Sequence, residues 1–568
     1  MLLTSSLARA TAAASPAATA YQRGLEALKR QDLASARTAF EKAVRLSPTD
    51  TAAQASLGWV LVQQGELDAA TTHLKTAIKL RPAFASARIT LAGILARQGK
   101  APEAEQQLRA AIKAEPNNAE AHRMLGRTLS HQNLEEATSE LRRSVELAPQ
   151  RPELRDDLGS ALAQQKRNAE AVAAFSEALR LRPDFAPAHF HLGALHLEQQ
   201  EFDDAASELG KAVDLAPRDP TSHFYLSKAF AGQSKPADAL RELHATVELK
   251  PDWFEAQIAL GLACQRAPDL DCAVTAFEAA TRLHPQDPEA FNDLGLALIQ
   301  QGAAEKAVPV FRTAAGLRPE DASFRANLGI AFLQRADFDS AITELDAAIR
   351  LSPDDSSTHY NLGLAYKLKD QLGRAIAELL KAIELKPDLA DAHYTLGVLY
   401  WQQGEFDQAA DQLHAAIQHE PKYAEAHYTL GTVLKQQGKL PEAATSLREA
   451  LRLQPDLAGA HTTLAAVLRQ QGDTAGAAEE AKAAATLSAN TTNLQAAEFS
   501  TNSGKRLMDA GDLDAAIAQF RAAIQASETY APAHRQLAQA LQRQGHTEEA
   551  AKELSRAAEL DSSVKPKM

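Results

Sequence analysis

Apolar residues recur along this chain with the spacing of one helix face, broken by short polar segments, from residue 17 almost to the end. In a typical stretch, Phe175 and Ala178 follow Ala171 at i+4 and i+7, the stripe of a helix that buries one side. Thirteen of these stretches end at a proline. Pro48, Pro82 and Pro116 open a series that continues through Pro149 and Pro183 to Pro455, always 34 residues apart except for one step of 33. Proline has neither the amide nor the geometry to continue a helix, so each one predicts a helix end.

Within each interval the same residue types return. A small residue stands at Gly58, Gly126, Gly193, Gly261, Gly329, Gly397 and Gly431, replaced by Ala92, Ser227, Ala465 and Ala538 in other units. Alanine follows further on in all sixteen units, as at Ala36, Ala70, Ala205, Ala409 and Ala550. Two small positions in register predict two antiparallel helices that cross too closely for larger side chains, where overpacking costs roughly 1–3 kcal/mol. Four residues after the alanine comes Leu or Phe, as at Phe40, Leu74, Phe277 and Leu447. Between the two helices the turn often carries glycine (Gly65, Gly99, Gly302, Gly404), which predicts a positive φ there. Each interval therefore reads as a helical hairpin, and a hairpin repeated at a fixed period buries its faces against its neighbours.

A small residue at position eight, alanine at twenty, Leu or Phe at twenty-four, alanine at twenty-seven and proline at thirty-two together resemble the tetratricopeptide repeat, in its multi-repeat scaffold form of bacterial type. The resemblance implies an all-α fold, a right-handed α-solenoid or superhelix of helix-turn-helix units. Fourteen units span 17–491 and two more span 497–564. Residues 1–16 read as a disordered or helical segment and 565–568 as a tail. Residues 492–496 read as a short insertion, forming either a bend or joint or a stretch that merely lengthens a helix or loop, because Ala489 stands where proline is expected and Ala481 where Leu or Phe is expected. What remains outside the units is too short for a catalytic domain, so the chain is expected not to be an enzyme.

Composition narrows the partners. Sixty Lys and Arg against 73 Asp and Glu give a net charge of −13, which repels phosphate backbones and argues against nucleic acid. No apolar run approaches the length of a bilayer span; Leu57 to Val62 breaks at Gln63 and Gln64. A soluble protein is expected. The first twenty residues end in a small-residue tract but lack a basic n-region and a long apolar h-region, leaving a truncated signal remnant as an alternative. Localisation stays open between the cytoplasm, which is preferred, and export.

The partners expected are other proteins, held as extended peptides or helices. The resemblance places positions two, five, nine and twelve of each first helix on a concave, partner-receiving face. Position five carries Phe190 and Phe224, then Tyr360, Tyr394 and Tyr428 in three consecutive units; position twelve of those three carries Lys367, Trp401 and Lys435. Exposed aromatics among lysines in an acidic chain suit a peptide with apolar and acidic groups, and residues 354–455 are the preferred contact region. The competing reading is packing between repeats. Asn327 and Asn361 at position six, continued by Thr395, Thr429 and Thr463, resemble in part the inner asparagine ladder of O-linked N-acetylglucosamine transferases. The lysine and asparagine that chaperone-tail binding needs at positions five and nine do not occur together in any unit.

Eight of the seventeen histidines stand at position four, among them His122, His189, His359 and His534. Equivalent positions on stacked helices are too far apart to share one ion, so these rings are expected to pack, and no metal, cofactor or catalytic residue is expected. Cys264 and Cys272 flank one hairpin turn and would suit a disulfide if the protein is exported. Together these observations predict a non-catalytic scaffold or adaptor. A recruiting subunit of a separately encoded enzyme, such as a glycosyltransferase or secretion machinery, and a self-assembling element are the alternatives.

Overall fold

The computed structural model describes residues 15–563. The tail 565–568 and nearly all of the N-terminal segment lie outside the described residues. The first helix, Pro16–Lys29, has Ser15 as its cap, with the Ser15 hydroxyl accepting from the Ala18 amide at 3.1 Å. Thirty-one helices and no strand make up the described residues. They pair in order, a first helix such as Thr51–Gln63 against a second such as Leu67–Leu80.

The chain gathers into two units, residues 1–297 and 298–568. In the first unit, the hairpins from Pro16–Lys29 to Leu270–Leu283 stack so that each second helix packs on the next first helix. Neighbouring first helices also touch, as Thr51–Gln63 does with Ala85–Arg97, and so form a face of their own. In the second unit the same holds for Ser356–Leu368, Ala390–Gln402 and Ala424–Gln436, the last two touching directly.

The residue pattern accounts for each hairpin. A methyl group added at Gly397 would lie 2.8 Å from Leu413 Cγ, and one added at Gly261 would lie 2.5 Å from Phe277. The crossing is therefore closed to larger residues, as the small positions predict. Alanines such as Ala70, Ala205 and Ala409 are fully buried opposite it. Phe40, Phe175, Phe277, Phe311 and Phe520 supply the largest fully buried rings. Aspartates cap many helices: Asp50 accepts from the amides of Ala52 and Ala53, and Asp337 from that of Ser340. Each cap satisfies amides that have no partner inside the helix.

Gly65 and Gly404 both adopt φ +81° at the turn, as expected. Where glycine is missing, the turn takes the same left-handed geometry with Gln31, Lys166, Gln200, Ser234, Ala336 or Asp370. The prolines act as expected too. Arg81, which precedes Pro82, is extended at φ −137° and ψ 93°, the conformation that a following proline imposes.

Of the two readings of residues 492–496, the helix Thr474–Asp509 corresponds to the lengthened helix: it runs through the insertion and fuses a second helix with the first helix of the next repeat. Between Ala477 and Gly504 the sequence offers no proline or glycine to stop it. The Thr486, Thr491 and Thr492 hydroxyls instead donate to carbonyls four residues back, closing on their own helix.

Candidate functional site

Tyr360, Tyr394 and Tyr428 occupy equivalent places on three successive first helices, and each is partly exposed. Each ring leans toward the following repeat. Tyr394 stacks on Tyr423 with ring centroids 4.9 Å apart, and the Tyr423 hydroxyl donates to Asp391 Oδ1 at 3.0 Å. Burial raises the Tyr423 phenol above its ordinary range, and the bond to Asp391 raises it further, so the hydroxyl stays protonated as a donor. Burial also raises Tyr360, opposed by a hydrogen bond with Thr395. Tyr428 lies over Gly459, where an added methyl would come within 2.9 Å of its hydroxyl. These rings thus both join neighbouring repeats and keep part of their surface open.

Trp401, Lys367 and Lys435 are likewise half-buried. Burial lowers the Lys367 ammonium below its ordinary range. Neither lysine forms an ion pair with any described residue, although each stands beside the aromatic rows.

Other expected residues behave differently. Phe190 is partly exposed and meets Tyr225 edge-on at 5.2 Å. Phe224 departs from the expected exposure: it is buried, 4.6 Å from the Trp253 ring, and the Lys228 ammonium covers it. The repeat there continues with Trp253 just before its next first helix, and that ring closes the space over Phe224. The position-six row is no open ladder. Asn361 donates to the Ser357 carbonyl of its own helix at 2.8 Å, Thr463 to that of Gly459 at 2.9 Å, and Thr395 and Thr429 are buried. Asn327 is partly exposed on its helix.

A second feature of the first-helix face escaped the sequence reading. In the first unit, Trp59, Ile89, Met124, Arg97, Arg127 and Glu120 line a hollow of about 530 Å³ across three successive first helices. Trp59 is 41% exposed, open enough to contact a ligand. Its place at position nine was the signal available, but a single tryptophan does not reveal that Ile89 and Met124 deepen the floor beside it.

The position-four histidines pack as expected and also make bonds that the sequence did not reveal. His359 Nε2 donates to the Pro353 carbonyl at 3.0 Å, and its Nδ1 meets Glu378 Oε2 at 2.6 Å. His189 repeats the arrangement with Pro183 and Glu208. Burial would push the Glu208 carboxyl up, but hydrogen bonds from Lys211 and His189 hold it below the usual range. Where histidine is absent, another donor serves the same carbonyl: Gln54 reaches Pro48 at 2.9 Å and Gln257 reaches Pro251 at 3.0 Å. Position four is thus a clasp that ties the proline turn to the helix after it.

Cys264 and Cys272 face each other across their turn at bonding distance, with Cα atoms 5.8 Å apart. No helix of the described residues is long and apolar enough to cross a membrane.

Models of the tetratricopeptide repeat match residues 21–83, 157–220, 226–288, 269–322, 394–458 and 428–491, more than half of the chain. Further models of the same repeat match 61–128, 507–563, 331–370 and 368–404. The chain belongs to the tetratricopeptide repeat family. No curated protein matches it in sequence. Among solved structures it is similar to the Cut9–Hcn1 hetero-tetramer of the APC/C, at 17% identity over 80% of this chain and 97% of that one, with a TM-score of 0.37. It is also similar to PilF of Pseudomonas aeruginosa, at 20% identity over 36% of this chain and 94% of that one, TM-score 0.34. YrrB, a repeat protein with an unusual peptide-binding site, is 23% identical over 33% of this chain and 97% of that one, TM-score 0.30. Repeats of this family build protein-interaction scaffolds, generally without catalysis of their own.

Proposed function

We propose that residues 354–455 receive an extended segment of a partner protein on the face built by Ser356–Leu368, Ala390–Gln402 and Ala424–Gln436. The observation that carries this reading is the pairing of half-open aromatics with unpaired lysines: Tyr360, Tyr394, Trp401 and Tyr428 beside Lys367 and Lys435. Rigid aromatic rings lose little entropy on binding and gain from losing water, which makes them frequent anchors at interfaces. An ammonium that is already part-desolvated and lacks a carboxylate gains most from one brought by a partner. The segment recognised is therefore apolar with acidic residues, and the protein acts as a scaffold or adaptor rather than as a catalyst.

Replacing Tyr394 and Trp401 together by alanine tests the reading. The double variant is expected to lose most partner capture from host extract, because truncated anchors of this kind cost about 2 kcal/mol or more each. Its far-ultraviolet dichroism should stay that of the parent. Capture equal to that of the parent removes these residues from the interface, and gross loss of helicity assigns them to packing.

A further inference from the structure

His244, Cys264 and Cys272 come from three successive helices, Pro236–Leu249, Phe254–Arg266 and Leu270–Leu283, and their ligand atoms all lie within 4.8 Å of one another. Cys264 is buried, Cys272 partly so, and His244 is exposed at the surface. Unlike the clasp histidines, His244 forms no hydrogen bond with any described residue, so its ring nitrogens are available. Between the cysteines stand Asp269, which caps the helix Leu270–Leu283 and accepts from the Cys272 amide at 3.0 Å, and Asp271 in the first turn of that helix.

We propose that this cluster is a thiol-gated zinc site. Two thiolates and an imidazole are the donor set that borderline-soft Zn²⁺ prefers over Mg²⁺ or Ca²⁺. Donors sharing one tetrahedral zinc stand roughly 3.5–3.8 Å apart, from bond lengths of about 2.3 Å to sulfur and about 2.0 Å to nitrogen. The three atoms reach that spacing by side-chain rotation once the sulfurs part. The fourth position is left to water.

The gate is the bond between the sulfurs. A thiol reductant supplies two electrons and two protons to the Cys264–Cys272 disulfide; the reductant becomes a disulfide and two cysteine thiols are left. Zn²⁺ then displaces both thiol protons and takes the neutral His244 ring as third donor, releasing two protons per ion. A disulfide oxidant reverses the sequence and expels the ion. The two states join different parts of the molecule. The disulfide fastens one hairpin to itself, whereas zinc through His244 fastens that hairpin to the helix Pro236–Leu249 of the preceding repeat.

No recognised sequence motif announces this site, because His244 stands 20 residues before Cys264 and 28 before Cys272. The expectation of no metal rested on the position-four histidines, which lie on separate stacked helices; His244 is not one of them, and the proposal revises that expectation.

The test uses the full chain reduced with a phosphine in metal-free buffer and titrated with Zn²⁺ against a chromophoric chelator, with Co²⁺ as spectroscopic probe. One tight Zn²⁺ per chain is expected, together with release of two protons and, for Co²⁺, thiolate charge-transfer absorption. The oxidised chain should take up none at this affinity. His244→Ala, at an exposed position, should weaken binding by at least about tenfold, the lower bound for disturbing even an outer partner of a ligand. Cys272→Ser should abolish the charge-transfer band. The proposal is overturned if oxidised and reduced chains bind Zn²⁺ equally, if the reduced chain binds none, or if His244→Ala binds as the parent does. Equal uptake in both redox states would place the ion on other groups such as the partly buried His196 with the exposed Glu201 and Asp204 instead.

Discussion

Gly397 and Gly210 are both helical glycines, yet an added side chain has opposite consequences at the two. Around Gly210 nothing lies within 4 Å of an added methyl, so Gly210→Ala should stabilise the protein by up to about 1 kcal/mol through helix propensity alone. At Gly397 the methyl would meet Leu413 Cγ at 2.8 Å, and Gly397→Val should destabilise by roughly 1–3 kcal/mol. Thermal melts that move in the same direction for both would contradict the crossing geometry. The clasp at position four gives a graded series. His359→Ala leaves the Pro353 carbonyl and Glu378, at a part-buried site, without their partner, at a cost of roughly 1–3 kcal/mol. His359→Gln should recover part of that loss, because Gln54 and Gln257 already serve the same carbonyl. A glutamine variant no more stable than the alanine one would refute the clasp. Asp293 adds a pH signature. Burial, then repulsion from Asp287 and Glu289, pushes its carboxyl up to about 6, against an ordinary 3.8. The folded state thus holds the proton more tightly than the unfolded one, so this group's contribution is full below about pH 4 and is lost as pH rises through about 6. Asp293→Asn should therefore stabilise near neutral pH, on the order of 1 kcal/mol after discounting for its partial exposure, and leave stability unchanged below about pH 4. Melting curves at the two pH values check this. At this scale the sequence disclosed which residues recur. It did not disclose their partners, since His359 finds them on the preceding turn and on the second helix, although glutamates such as Glu208, Glu242 and Glu378 recur in step, nineteen residues after their histidines.

Between single residues and the whole chain, helix limits follow from local chemistry wherever a breaker is present. Pro82 stops one helix and Gly65 turns another, and both were legible because their backbone preferences need no tertiary context. The helix Thr474–Asp509 was legible only as one of two readings for the complementary reason: a departure from the repeat pattern left a joint and a lengthened helix both open, and the absence of a breaker favours continuation. Ala489→Pro restores the missing breaker in mid-helix. It should cost about 3 kcal/mol locally and raise amide exchange around residues 485–500. Unchanged exchange there would mean that the helix is already interrupted in solution. The tyrosine and lysine rows were legible as rows because they share one position in the repeat. Their half-buried state was not, since Tyr423 and Gly459 come from the following turn and helix.

Within each unit, helices pack on their neighbours in sequence, so stability is a sum of local terms rather than one cooperative transition. Gly397→Val should accordingly speed amide exchange in Leu372–Leu385 and Phe406–His419 while leaving Thr51–Gln63 and Leu67–Leu80 as they were. A uniform rise across the chain would show cooperativity that nearest-neighbour packing does not provide. The family and fold were legible at this scale because a fixed period samples the same physical constraint many times over. The face proposed to bind a partner was only narrowed by the sequence, since the hollow at Trp59 and the unpaired lysines emerge from three-dimensional neighbours. Scaffold action through the first-helix face is decided by amide exchange of the full chain, alone and with the protein it captures. Protection should fall on Ser356–Leu368, Ala390–Gln402 and Ala424–Gln436. Protection confined to the second helices Leu372–Leu385, Phe406–His419 and Leu440–Leu453, or lying wholly outside residues 354–455, would show that the partner binds elsewhere.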